Sequence, residues 1–257
     1  MILEITGLET EREHMLLRDI DWQVKSGENW CVFGPNASGK TALASVMSHY
    51  AGKVSGEIRL FGRPYSAGEW KELKKQVILL DPKLCMKILP SMKGTEVICA
   101  ILEEKTTGST YRSAVEKRRA LDMLKQCSCE HLGDRLWRQM TPREKRMVLL
   151  ASALTPERRL ILMDDMCSDL DPFALKRFLN DLETLVSGQD MPAFILFVRS
   201  VNEVIPSVSH VLILKEGRIF SRGKKLDVLN SEILSKLFET SVLCDYNKGT
   251  FNVEFLI

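Results

Sequence analysis

Long apolar runs are missing from this chain. The two longest, Val97–Leu102 and Ala193–Val198, have six residues each, against the ~20 that a membrane-crossing helix needs. The first residues also lack the basic, apolar and small-residue layout of a secretory leader. Charge of one sign is scarce too, since 36 Lys plus Arg face 34 Asp plus Glu. That balance gives no global pull toward nucleic acid or an anionic membrane, and no basic stripe interleaves with aromatics. Basic clusters such as Lys117-Arg118-Arg119 and Arg143…Lys145-Arg146 read as solvated helix faces. The 7 cysteines are odd in number and irregular in spacing, so no disulfide framework is expected and a reducing compartment is. Cys127-Ser128-Cys129-Glu130-His131 contains zinc-ligand types, but its C-x-C spacing and the lack of a second cluster favour small core fillers. Repeats and low-complexity tracts are absent as well. Together these absences predict a soluble cytoplasmic protein. Its 257 residues, 45% hydrophobic, suffice for one large α/β domain or a core with an inserted lobe.

What is present begins with Gly34-Pro35-Asn36-Ala37-Ser38-Gly39-Lys40-Thr41, which fits the phosphate-loop pattern G-x-x-x-x-G-K-[ST]. A strand-like Trp30-Cys31-Val32-Phe33 precedes it and a helix-like Thr41–Met47 follows, the context that separates such a loop from a chance match. The glycines let backbone N–H groups turn inward around the β- and γ-phosphates, and the helix aims its positive end there. Lys40 adds a point charge, and Thr41 supplies a hydroxyl for Mg²⁺. The pattern therefore predicts a nucleotide site.

Around it, Met1–Leu8, Leu17–Val24 and Gly56–Phe61 read as strands, with breaks at Ser26-Gly27 and Gly62-Arg63-Pro64. From about Gly94 to Ala153 the pattern is helical. Ala114, Leu121 and Leu124 share a face there, and a second helix follows Pro142. Strand-like runs return at Leu160–Met163, Ala193–Val198 and His210–Leu214, with a helix from Phe173 to about Val186 between the first two, the alternation of a parallel sheet. Ser241–Tyr246 and Thr250–Leu256 flank Asn247-Lys248-Gly249, a terminal hairpin signal.

Arg159-Leu160-Ile161-Leu162-Met163-Asp164-Asp165 is an apolar strand ending in paired carboxylates. Such a strand can deliver Asp164 to the loop's Mg²⁺ and Asp165 to the water that attacks the γ-phosphate. With Ser168-Asp169-Leu170-Asp171 and the turn at Lys215-Glu216-Gly217-Arg218-Ile219, nearly the whole chain resembles the nucleotide-binding domain of the ATP-binding cassette (ABC) family. Within that family, Asp21–Trp30 and Asn202–Pro206 look most like the molybdate-associated and photorepair-type cassettes. The resemblance implies an α/β fold: a P-loop NTPase core of ABC type, an N-terminal antiparallel β subdomain and an inserted helical subdomain. The expected division is 1–85 and 154–235 for core and β subdomain, 86–153 for the helical subdomain and 236–257 for the C-terminal hairpin. It implies ATP and Mg²⁺ as cofactors, held by Gly34, Pro35, Asn36, Ala37, Ser38, Gly39, Lys40 and Thr41, with Thr41, Asp164 and Asp81 near the metal. It also implies a dimer with a second ABC domain, identical or different, and association with transmembrane transporter subunits at the inner face of the membrane.

Several positions depart from the family pattern. Met140-Thr141-Pro142-Arg143-Glu144 stands where the family has L-S-G-G-Q. Thr141 and Glu144 can form a capping box with Pro142 at N1, whereas Pro142 has no N–H to offer a phosphate and Arg143 is bulky. An arginine could still reach a phosphate bidentately. Ser200, in Val198-Arg199-Ser200-Val201, stands in place of the switch histidine. Asp165 is one methylene shorter than the family's catalytic glutamate. Asp81, in Leu79-Leu80-Asp81-Pro82, stands in place of a glutamine and either ligates Mg²⁺ or starts the turn. For stacking on adenine, Thr10-Glu11-Arg12-Glu13-His14 offers only Arg12 or His14. The expectation is a slow ATPase with Lys40, Asp165 and Ser200 at the reacting phosphate; the alternative is a non-hydrolysing ATP-binding partner of a complete cassette.

Overall fold

The computed structural model describes residues 1–12, 15–48, 55–103, 113–188 and 191–256. In chain order these residues form β1 (Leu3–Arg12), β2 (Met15–Val24), β3 (Trp30–Phe33), α1 (Lys40–Ser48), β4 (Ser55–Leu60), β5 (Arg63–Pro64), α2 (Ala67–Leu73) and β6 (Val77–Leu80). Helices α3 (Leu84–Lys87), α4 (Gly94–Leu102), α5 (Ala114–Gln126) and α6 (Pro142–Ala153) follow, then β7 (Leu160–Asp164), α7 (Pro172–Val186) and β8 (Ala193–Val198). The chain closes with β9 (His210–Lys215), β10 (Arg218–Lys224), α8 (Lys225–Val228), α9 (Ser231–Phe238), β11 (Ser241–Asn247) and β12 (Thr250–Leu256).

Two compact units result. One comprises Met1–Leu79, Arg159–Asp165 and Pro192–Ile257; the other comprises Leu80–Arg158 and Met166–Met191.

The first unit carries a six-stranded sheet in the order β10-β9-β3-β8-β7-β6 and a four-stranded sheet in the order β2-β1-β4-β5. β3 runs parallel to both β8 and β9, and β7 parallel to β8. Every residue of β3 and β7 is buried, which is why both read as continuous apolar runs rather than alternating ones. The smaller sheet is antiparallel and bulges near Gly7. There a Cβ on Gly56 would lie 2.3 Å from the Gly7 carbonyl oxygen, so only glycine fits. The core lies around α1, with Leu43 and Met47 packed among Leu3, Ile5, Trp22, Leu160, Ile195 and Leu212. The hairpin β11–β12 closes through Lys248 and Gly249, both at positive φ, as the turn signal predicts. Helices α2 and α9 are not expected from sequence. Each is short and capped by a side chain, Ser66 accepting from the Glu69 N–H and Asn230 from the Ile233 N–H.

The second unit is helical and takes in α7 as well as α3 to α6. Two expectations are corrected in it. The buried stripe of α5 is Ala120, Met123 and Leu124, spaced i, i+3, i+4, while Ala114 and Leu121 are exposed. Leu121 stands one position round from that stripe, over Gly133. Arg146, expected on a solvated face, is 5% exposed. Its Nε donates to the Met166 carbonyl at 3.3 Å and its guanidinium to the Ser168 carbonyl at 3.2 Å. The charge is tolerated because those backbone oxygens replace its water.

Candidate functional site

The phosphate-type loop leaves the C-terminal end of β3 and enters α1 at Lys40. A Cβ on Gly34 would sit 2.2 Å from the Leu214 carbonyl oxygen, so the strand can turn against β9 only as glycine. Ala37 at φ 60° and Gly39 at φ 105° then curl the backbone back on itself. The Ser38 carbonyl accepts from the Gly217 N–H at 3.0 Å, which ties the loop to the turn between β9 and β10. Lys40 is drawn inward: its Nζ donates to the Gly34 and Pro35 carbonyls at 2.6 and 2.8 Å and lies 3.4 Å from Ser38 Oγ. Burial lowers its pKa below the ordinary lysine value, and the nearby Asp164 carboxylate opposes that shift. A poorly hydrated ammonium at a helix start favours an arriving polyanion. Thr41 is exposed on the first turn of α1.

Two parallel strands supply the remaining groups of this unit. β7 ends at Asp164, 4% exposed, and Asp165 follows in the left-handed region at φ 56°. The Asp165 N–H donates to the Phe197 carbonyl at 3.1 Å, and its carboxylate pairs with the Arg199 guanidinium. The Arg199 N–H donates to Glu203 Oε2 at 3.3 Å. Burial pushes the Glu203 carboxyl up to about 7, and the charge of Asp165 adds to the shift, while the Arg199 N–H and guanidinium oppose it. Ser200 serves as the N-cap of a short helical turn, Val201–Glu203, its Oγ accepting from the Asn202 N–H at 3.3 Å.

Gly34–Thr41, Asp164, Asp165 and Ser200 therefore belong to one unit. Asp81 belongs to the helical unit, where its Oδ1 accepts from the Lys83 N–H at 2.8 Å and opens a turn. In that unit the segment before α6 has the expected capping box. Thr141 Oγ1 accepts from the Glu144 N–H at 3.2 Å, and the Thr141 N–H donates to Glu144 Oε2 at 2.8 Å. Arg143 is held by Asp181 of α7, and Arg135 donates to Glu144 Oε1 at 2.7 Å. Of the two adenine-stacking candidates, His14 lies outside the described residues, and only the backbone of Arg12 is placed, at the end of β1.

The donor set suits a hard divalent cation shared with phosphates. Thr41 offers a hydroxyl and Asp164 a carboxylate, and Mg²⁺ takes few protein ligands when phosphate oxygens complete its shell. Among the described residues, no group of three or more His, Cys, Asp or Glu side chains could hold a metal alone. Reading the sequence for known motif positions missed Arg199 and Glu203. Their signal was a charged residue directly after the apolar run Ala193–Val198, at the edge where parallel strands present ligands.

Comparisons with known proteins bear on the family and the fold. The family model described as ABC transporter matches residues 17–168. Over 250 residues the chain is 26% identical to an uncharacterized ABC transporter ATP-binding protein, YlmA, of Bacillus subtilis, covering 96% of this chain and 95% of the relative. It is also 26% identical to the similarly described YmeB of Lactococcus lactis, covering 91% and 90%. Among solved structures, an ATP-binding cassette in its ADP conformation superposes with a TM-score of 0.75 at 19% identity, over 93% of this chain and 97% of that one. A dimeric cassette in a post-hydrolysis state with ADP and phosphate gives 0.69 at 18% identity, over 87% and 98%. Among the described residues, no helix is long and apolar enough to cross a membrane.

Proposed function

The chain belongs to the ABC transporter family, and on that premise we propose that it binds Mg-ATP at Gly34–Thr41 and hydrolyses it slowly. The observation that carries this reading is the inward, poorly hydrated Lys40 in a loop whose Gly34 and Gly39 admit no larger residue without strain. Lys40 would exchange its loop carbonyls for phosphate oxygens, a stronger charge-assisted contact. Thr41 and Asp164 would hold Mg²⁺, which supplies neutralisation of charge on the transferring phosphoryl group. Asp165 would polarise the attacking water. Positioning dominates phosphoryl transfer, and here Asp165 is short and held by Arg199, Ser200 is occupied as a cap, and Pro142 and Arg143 stand where N–H donors would be needed. Those features support slow turnover with binding retained.

The same features support the second reading, a non-hydrolysing cassette that partners a complete one. Pairing would set an intact signature against this chain's loop, so a heterodimer is favoured over a homodimer. The relatives' descriptions support service as the nucleotide-binding subunit of a transporter; a place on the cytoplasmic side beside membrane subunits is part of the same proposal. Kinship with the molybdate-associated and photorepair-type cassettes rests on Asp21–Trp30 and Asn202–Pro206. The test is titration of Mg-ATP into the isolated chain, followed by phosphate release in a single turnover. Binding with slow release supports a slow ATPase, binding without release the non-hydrolysing partner, and no binding removes the nucleotide-site reading.

A further inference from the structure

We propose that Arg199 is a positioning residue that responds to the nucleotide: it holds Asp165 until a γ-phosphate occupies the loop, then transfers to that phosphate and releases the carboxylate. The inference rests on the ATP site proposed above. The strand order places Arg199 for such an exchange. β3, β8 and β7 are consecutive parallel strands, with Phe33 opposite Val198 and Phe197 opposite Asp164. The phosphate-type loop follows β3, Asp165 follows β7, and Arg199 follows β8, which lies between them.

Two contacts set the resting side of the exchange. The guanidinium pairs with Asp165, and its positive charge also bears on Lys40, so it lies within electrostatic reach of the loop. Its backbone stays anchored, because the Arg199 N–H donates to Glu203 and Ser200 caps the turn that follows. The side chain is 58% exposed. A single ion pair whose guanidinium is this exposed is held less firmly than a buried one, whereas a guanidinium grips phosphate through two parallel charge-assisted hydrogen bonds. The γ-phosphate therefore outcompetes Asp165, and ADP, which lacks that group, leaves the pair intact.

The test compares Mg-ATP and Mg-ADP affinities of the full chain and its Arg199→Ala and Arg199→Lys variants, measured by calorimetry so that hydrolysis is not the readout. Arg199→Ala is expected to lower ATP affinity about tenfold while leaving ADP affinity unchanged, with Arg199→Lys in between. The unchanged ADP affinity also shows that the variant is folded. An ATP-to-ADP affinity ratio that stays the same or rises in Arg199→Ala overturns the proposal. Wild-type chain that binds neither nucleotide overturns instead the ATP-site reading beneath it.

Discussion

At the start of α1 a buried lysine is held on three oxygens of its own loop, and glycines keep the surrounding backbone open. At the start of α6 the Thr141–Glu144 box closes the helix end, Arg135 donates to a carboxylate oxygen of Glu144, and Asp181 holds Arg143. Both are helix N-termini with the same dipole. The first keeps its strongest donor on neutral oxygens that an anion can replace; the second commits its polar groups to one another. A helix start stays open to an anion where the sequence withholds a side-chain cap, and Thr141 before Pro142 supplies one that Gly39 before Lys40 does not.

The largest effect should come from the open end. Lys40→Ala removes the only side-chain cation of the loop, and we expect Mg-ATP affinity to fall about a hundredfold, roughly 3 kcal/mol; a loss under threefold by calorimetry would erase the distinction between the two helix starts. Next is Arg146, buried in α6 itself. Arg146→Met removes the hydrogen bonds to the Met166 and Ser168 carbonyls and should lower stability by about 2–3 kcal/mol, read by urea unfolding. A surface-like loss of ~0.5 kcal/mol would return Arg146 to the solvated face expected from sequence.

Glu203 sharpens the comparison on the sheet side. Its carboxyl sits at about 7 in the fold, above its unfolded value, so the folded state holds the extra proton between the two. Stability from this group is full below the unfolded pKa and is lost as pH rises toward and through about 7. Glu203→Gln should flatten that decline, by about 1–2 kcal/mol between pH 5 and 8; parallel stability curves for the two proteins would contradict the assignment. The smallest effect belongs to the closed end. Thr141→Ala should cost about 1 kcal/mol of stability and leave the isolated chain's ATP affinity unchanged, and a drop in that affinity would make α6 part of the nucleotide site.

Much of this was legible in the sequence where local patterns carry it. Gly34–Thr41 and the run into Asp164-Asp165 have spacing that survives folding, and Thr141-Pro142-Arg143-Glu144 states its own cap. Long-range pairings were not legible. Arg143 with Asp181 and Arg146 with the Met166 and Ser168 carbonyls join elements distant in the chain, and a helical pattern of charges looks the same whether its face meets water or backbone oxygens. Arg199 was hidden by its neighbour. Nothing local marks it beside Ser200, because its pairing with Asp165 depends on β8 lying between β3 and β7.

Whether the open phosphate loop serves a poorly equipped reaction centre is decided by steady-state phosphate release from the isolated chain at saturating Mg-ATP. Turnover is expected well below the ~10 per second of a typical enzyme and abolished by Lys40→Ala. Turnover at or above ~10 per second would contradict it, because Asp165, Ser200 and the capped α6 start would then suffice for catalysis as they stand.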